Sequence, residues 1–284
     1  MVTAVMADKA RADIDFLPLT VEFEERLYSA GKIPGSFFRR EGRPAAEAIL
    51  SCRLTDRSIR PLFPKGLHND VQIILTVLSA DPEHPPEILG MIGASAALTI
   101  SKIPFEGPVG SCRVAYLDGQ YIVHPTYDQI LRSQLNMVIS SNEEAIIMVE
   151  AGSNEVSEQI ILEGIKQARL ANNETINLIK EMEVTAGQAK VEVSVDHEET
   201  EALESQIKSL VLDDLQDVLS LNSFKAERDE GLDKLEEQIL EKLSDQHSEQ
   251  KIGEGFKNVL KGEVRSRILN LGIRPDGRSK EEIR

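Results

Sequence analysis

The sequence predicts a mixed α/β unit followed by a small all-helical domain, and three observations carry that expectation. Through the first two thirds of the chain, short alternating or β-branched runs interleave with stretches of helical spacing. From His197 onward the strand signals vanish and apolar residues recur every three or four positions. A chain of 284 residues with 41% hydrophobic content also has the length for about two domains and the apolar surface for more than one core.

Residues 1–8 (MVTAVMAD) alternate weakly, as a strand does, and such a strand needs a neighbour to satisfy its backbone groups. Residues 16–23 (FLPLTVEF) alternate apolar and polar, with Pro18 favouring a sheet edge or a bend. Pro34-Gly35 opens a loop, and Arg43-Pro44 then starts an amphipathic helix through Ala45, Ile49, Cys52 and Leu54 that stops at Pro61. Residues 71–78 (VQIILTVL) read as a strand buried on both faces. After Pro85-Pro86, residues 87–100 are rich in small side chains and fit a helix packed close against a sheet. Strands follow at 112–117, 121–123, 135–140 and 145–149, with Asp118-Gly119 as a hairpin turn. Helical spacing returns over 156–182, interrupted at Asn172-Asn173, and again over 198–221, 225–243 and 255–271. In this last region Leu203, Leu210, Leu215, Leu219, Leu232, Leu235 and Leu243 supply a stripe to bury, which favours a packed bundle over disorder despite the acidity.

Several function classes are excluded. No run of about 18 apolar residues, no basic-then-apolar leader and no lipidation box is found, so a soluble cytoplasmic protein without membrane contact is expected. Cys52 and Cys112 stand far apart, and the five histidines are scattered singly, so neither a disulfide framework nor a metal site is expected. Gly253-Glu254-Gly255 lacks the preceding strand and the third glycine of a nucleotide loop.

Charge narrows the field further. The formal net charge of −16 argues against nucleic acid as a general partner, but it is unevenly spread. Between residues 32 and 65, eight basic residues face three acidic ones, whereas residues 141–250 hold 27 acidic against 9 basic. Such asymmetry focuses an anionic ligand on one place. Within the basic stretch, residues 35–44 (GSFFRREGRP) set two phenylalanines beside three arginines between glycine and proline. Single-stranded nucleic acid stacks bases on aromatic rings while arginines neutralise its phosphates. Equally, one phenylalanine can anchor the loop in the core while the arginines pair with local carboxylates. Both readings stay open on the residues alone.

The residues also carry a resemblance. The stretch 24–64 (EERLYSAGKIPGSFFRREGRPAAEAILSCRLTDRSIRPLFP) is similar to the first core domain of the bacterial-type polynucleotide phosphorylases, including its FFRR loop. The similarity continues through 69–72 (NDVQ), 91–98 (MIGASAAL), 103–110 (IPFEGPVG), a helical domain and the IRPDGR at 273–278. It implies an RNase PH-like core domain over 1–188, shortened at its first hairpin. A helical domain over 189–270 and a linker over 271–284 into a second core domain complete the implied organisation.

Members of that family degrade RNA 3′ to 5′ by phosphorolysis. Inorganic phosphate attacks the terminal phosphodiester with magnesium assisting, and nucleoside diphosphates are released. The resemblance further implies a ring-shaped homotrimer, single-stranded RNA as substrate, and a place for RNA-degradosome components as partners. Phe37 and Phe38 would grip bases and Arg39 and Arg40 the backbone. Arg43, Arg53, Arg57 and Arg60 are candidates for a second basic layer, with structural salt bridges as their alternative role. No catalytic residue is expected here. The loop before Met91 (PPEILG) has no serine, and Ile130, Asn136 and Val138 stand where the family's second core carries two aspartates and a lysine. The intact enzyme would take magnesium and phosphate elsewhere, and this segment would supply RNA binding at the pore and ring assembly without activity of its own. The competing expectation is a non-catalytic assembly module whose basic loop contacts a neighbouring subunit.

Overall fold

β1 (Val2–Ala10), β2 (Leu19–Glu25) and β3 (Asn69–Val77) form a three-stranded sheet in the order β1-β3-β2. β1 is antiparallel to β3, which supplies the neighbour its backbone needs, with Val2 opposite Leu75. β2 runs parallel to β3, so the chain crosses between them through α1 (Ala46–Ile59). Pro18 immediately precedes β2, which lies at the sheet edge. β3 is not buried on both faces as its composition predicts. Val71, Ile73 and Leu75 pack with Ala48 and Ile59 of α1 and Ala94 and Leu98 of α2 (Glu87–Ile100), whereas exposed Gln72 hydrogen-bonds Glu22 on the other face. Helices cover one face of this sheet, and the strand alternates accordingly.

The coordinates are a computed structural model that describes residues 1–10, 14, 16–35, 37, 40–193, 197–220 and 225–283. The chain divides into two units, Met1–Ser194 and Val195–Arg284.

The first unit holds a second, wholly antiparallel sheet. It consists of β4 (Gly110–Leu117), β5 (Gln120–Val123), β6 (Leu135–Ser141) and β7 (Ile146–Ser153) in the order β5-β4-β6-β7. A short helix α3 (Tyr127–Arg132), too brief for periodicity to reveal, is opened by a capping box between Thr126 and Gln129. α4 (Glu158–Ala186) lies on the sheet and runs without a break through Asn172-Asn173. Asn172 is buried, and its amide donates to the Ile139 carbonyl and the Ser141 hydroxyl, so the residue expected to interrupt the helix fastens it to β6. Gly110 permits the approach, because a Cβ there would sit 2.4 Å from the Asn172 carbonyl oxygen. α2 joins the two sheets: its Ile88 and Met91 pack with Leu54 of α1, Val138 of β6 and Met148 of β7. Beyond α4, residues 187–193 return along the end of α2. There the Lys190 ammonium donates to the carbonyls of Leu98, Thr99 and Ser101 at 2.8, 2.8 and 2.9 Å.

The second unit consists of α5 (His197–Ser220), α6 (Lys225–Leu243) and α7 (Glu249–Ser266), closed around Leu203, Ile207, Leu215, Ile239, Ile252 and Phe256. α7 begins six residues before the expected 255, because the Ser248 hydroxyl caps it at the Lys251 N–H. Gly255 falls inside the helix, where the absent side chain makes room for Ile207.

Candidate nucleic-acid interface

β2 ends at Glu25, and the chain enters a 3-10 turn over Leu27–Ala30 that Gly31 closes in the left-handed conformation at φ 68°. Of the residues between this turn and α1, those described (32–35, 37 and 40–45) belong to no helix or strand. The loop is fastened at its far end. The Glu41 carboxylate accepts from the Arg26 guanidinium at 2.8 Å and from the Leu27 N–H at 2.9 Å. Arg26 also donates to Glu24, which accepts from the Thr76 hydroxyl of β3. A chain of polar contacts thus runs from the sheet to the loop. The Arg26 hydrogen bond, and then the Leu27 N–H, hold the Glu41 pKa below the ordinary glutamate value, and Glu41 in turn raises that of Arg26.

Phe37 is 95% exposed, so its ring is not an anchor in the core. Arg40 and Arg43 are also exposed. Phe38 and Arg39, the other two residues expected in the loop, lie outside the described residues. Arg53, Arg57 and Arg60 share one exposed face of α1 and its continuation, as their spacing of four and three dictates. They are not equivalent. Arg53 makes no ion pair with another described residue, Arg57 pairs with Glu150 at 2.6 Å, and Arg60 holds Asp56 with two nitrogens while donating to the carbonyls of Leu17 and Leu19. Arg60 therefore braces the entry to β2. The exposed side chains of Ile49 and Leu50 continue the face toward the loop.

The three positions that the resemblance sets against catalytic residues, Ile130, Asn136 and Val138, have other surroundings. Val138 is buried among Leu54, Ile88, Met91 and Met148. Asn136 accepts from Arg113, whose guanidinium is paired with Glu87 at 2.7 Å, both being largely buried. Ile130 lies on α3. An amide and two aliphatic side chains offer magnesium no carboxylate, so the donor set does not fit the ion. Among the described residues no group of three or more His, Cys, Asp or Glu side chains is placed to hold a metal. No described helix is long and apolar enough to cross a membrane.

The second unit carries a cationic feature that the sequence reading did not single out. Lys257, Lys261 and Arg265 recur every four residues on the exposed face of α7 and make no ion pair with another described residue. The signal was legible as i, i+4, i+8 spacing but was masked by the acidity of the surrounding sequence.

Comparison with known proteins follows the same division. Residues 1–104 match domain 1 and residues 107–171 match domain 2 of the 3′ exoribonuclease family. Residues 202–279 match the RNA-binding domain of polyribonucleotide nucleotidyltransferase. The chain is 42% identical over its whole length to the polyribonucleotide nucleotidyltransferase of Natranaerobius thermophilus, covering 41% of that protein. It is 44% identical to that of a Sulfurihydrogenibium species and 41% identical to that of Dehalococcoides mccartyi, covering 40% and 39% of them. The chain thus spans about two fifths of the length of these relatives. Among solved structures, rice (Oryza sativa) Rrp46 superimposes with a TM-score of 0.52 at 12% identity, over 64% of this chain and 81% of that one, which is a likeness of fold.

Proposed function

The chain is homologous along its length to the bacterial-type polyribonucleotide nucleotidyltransferases, with their RNase PH-like core and RNA-binding domain, and from that premise we propose that it supplies the RNA-gripping part of such an enzyme. The intact enzyme would shorten RNA from its 3′ end by phosphorolysis. Phosphate oxygen attacks the terminal phosphodiester phosphorus, the 3′ oxygen of the penultimate nucleotide leaves, and a nucleoside diphosphate is released. On this reading 1–188 is the first RNase PH-like core, 189–270 the helical domain and 271–284 the passage toward a second core.

The observation that carries the proposal is the exposed Phe37 ring on a cationic loop fastened by Glu41. A ring held in water beside cations offers one face for a base and neighbouring charge for its phosphates. Phe37 and Phe38 would stack bases, and Arg39 and Arg40 would neutralise the backbone. Arg43 and Arg53 would extend the cationic path, while Arg57 and Arg60, already committed to carboxylates, would contribute less. Lys257, Lys261 and Arg265 would give the helical unit its own phosphate contacts.

Magnesium and phosphate would act in the intact enzyme at residues other than these. Stabilising a transferring phosphoryl group demands positive charge and metal, and Asn136 and Val138 supply neither. Incubation of the purified chain with labelled single-stranded RNA, phosphate and magnesium is expected to release no nucleoside diphosphate. Release would overturn the assignment of catalysis to other residues.

A role in ring assembly is favoured by the exposed Leu162, Leu170 and Leu178 of α4, apolar surface that a neighbouring subunit would cover. Leu170→Arg is expected to lower the sedimentation coefficient of any oligomer the chain forms. An unchanged oligomer would remove α4 from the interface.

A further inference from the structure

At the foot of the loop lies an open bowl of about 610 Å³, lined by Tyr28, Lys32, Ile33, Pro34 and Arg40 together with Arg26 and Glu41. Tyr28 is 59% exposed and Ile33 83% exposed. The tyrosine is nevertheless mounted on rigid backbone. Its carbonyl accepts from the Gly31 N–H at 3.0 Å, the Leu27 carbonyl accepts from the Lys32 N–H at 3.0 Å, and the Ser29 carbonyl accepts from the Ala80 N–H at 3.1 Å, tying the turn to the chain beyond β3. A braced turn that presents an aromatic ring outward has already met the ordering cost of a stacking platform.

The electrostatics point the same way. Glu41 is the acidic residue of the lining, and its two oxygens are taken up by Arg26 and the Leu27 N–H. With Glu41 so occupied, the exposed Lys32 ammonium leaves a positive field over the bowl, which attracts anions although the chain as a whole carries −16.

We propose that this bowl is a second nucleotide subsite for single-stranded RNA, in which a base stacks on the Tyr28 ring and the Lys32 ammonium neutralises the adjoining phosphate. The proposal rests on the reading that the neighbouring loop binds RNA, and it extends that path by one nucleotide toward β2. A mixed lining of one aromatic ring, the aliphatic Ile33 and Pro34, and charged side chains suits a nucleotide better than an apolar protein segment, which leaves Lys32 without an anionic partner.

The test uses the full chain and a fluorescein-labelled oligouridylate, read by anisotropy across a salt series, with sedimentation in parallel. Tyr28→Leu is expected to weaken binding about fivefold or more, Tyr28→Phe to stay within about twofold, and Lys32→Met to reduce the logarithmic salt slope by about 0.7. Unchanged affinity in Tyr28→Leu, with weakened binding in a Phe37→Ala/Phe38→Ala double variant, overturns the subsite and leaves the loop reading intact. Unchanged affinity in both overturns both. A changed sedimentation coefficient with unaltered RNA affinity makes the bowl a protein contact and also overturns it. Equal loss in Tyr28→Leu and Tyr28→Phe removes stacking as the cause. Should Tyr28→Leu lose its circular dichroism signal, Tyr28→Phe and Lys32→Met decide the matter through affinity and slope.

Discussion

Glu41 fastens the loop, because its carboxylate joins it to Arg26 and Leu27 at the end of β2. Its pKa is depressed, so its fastening is fully present above the ordinary glutamate value of 4.5 and fades as pH falls through the lower folded-state value. At neutral pH, Glu41→Ala is expected to speed amide exchange across 27–43 and weaken RNA binding, with thermal stability of the helical unit unchanged. The wild-type loop should show the same loosening only in acid, whereas loosening between pH 6 and 7 would contradict the assignment. Cys112 gives a second residue-level prediction. Burial pushes its thiol up to about 12, and its hydrogen points to the Ala168 carbonyl. The neutral thiol is favoured by the fold below the ordinary value of 9, and that contribution is lost as pH rises toward 12. Iodoacetamide at pH 8 should therefore leave Cys112 unmodified in the native chain and alkylate it after denaturation.

Among the elements, the strap over 187–193 depends most on one side chain. Lys190 donates to three carbonyls around the end of α2, where helix carbonyls run out of amide partners; that of Leu98 accepts from the Ser101 N–H as well. Lys190→Met is expected to cost about 1 to 2 kcal/mol in urea unfolding of the first unit and to raise exchange of Gln188 and Val191, while Lys190→Arg loses less. Lys190→Met matching wild type in both measurements would show that the strap is held by its backbone bonds alone. Element by element, the sequence was most legible where burial is one-sided. The β1, β2 and α1 patterns each faced one partner, and their alternation or helical spacing reported it. It misled where a tertiary contact replaced a local preference. Asn172 looked like a helix interruption because its amide favours turns, yet its partners Ile139 and Ser141 come from a distant strand. Tyr28 went unnoticed because only the braced turn turns a tyrosine near a basic loop into an outward-facing ring.

For the molecule as a whole, the difficulty is an acidic protein that is to bind a polyanion. Its charge is segregated: the described cations of the basic stretch are exposed, and among the carboxylates around it Glu24 and Glu41 are occupied by Arg26 and Asp56 by Arg60. Long-range repulsion is screened over about 8 Å at physiological salt, so local cations decide binding once the strand is within reach. The sequence made this segregation visible, and the loop's composition named the candidate residues. What it left undivided was the set of arginines, since pairing of Arg57 with Glu150 and Arg60 with Asp56 depends on which surfaces the fold brings together. The most direct test is the affinity of the Phe37→Ala/Phe38→Ala variant of the full chain for single-stranded RNA at fixed salt. Two lost stacking contacts at about 1 to 3 kcal/mol each predict at least a 30-fold weakening, with sedimentation unchanged. Wild-type affinity accompanied by altered sedimentation would contradict the account and make the loop a contact between subunits.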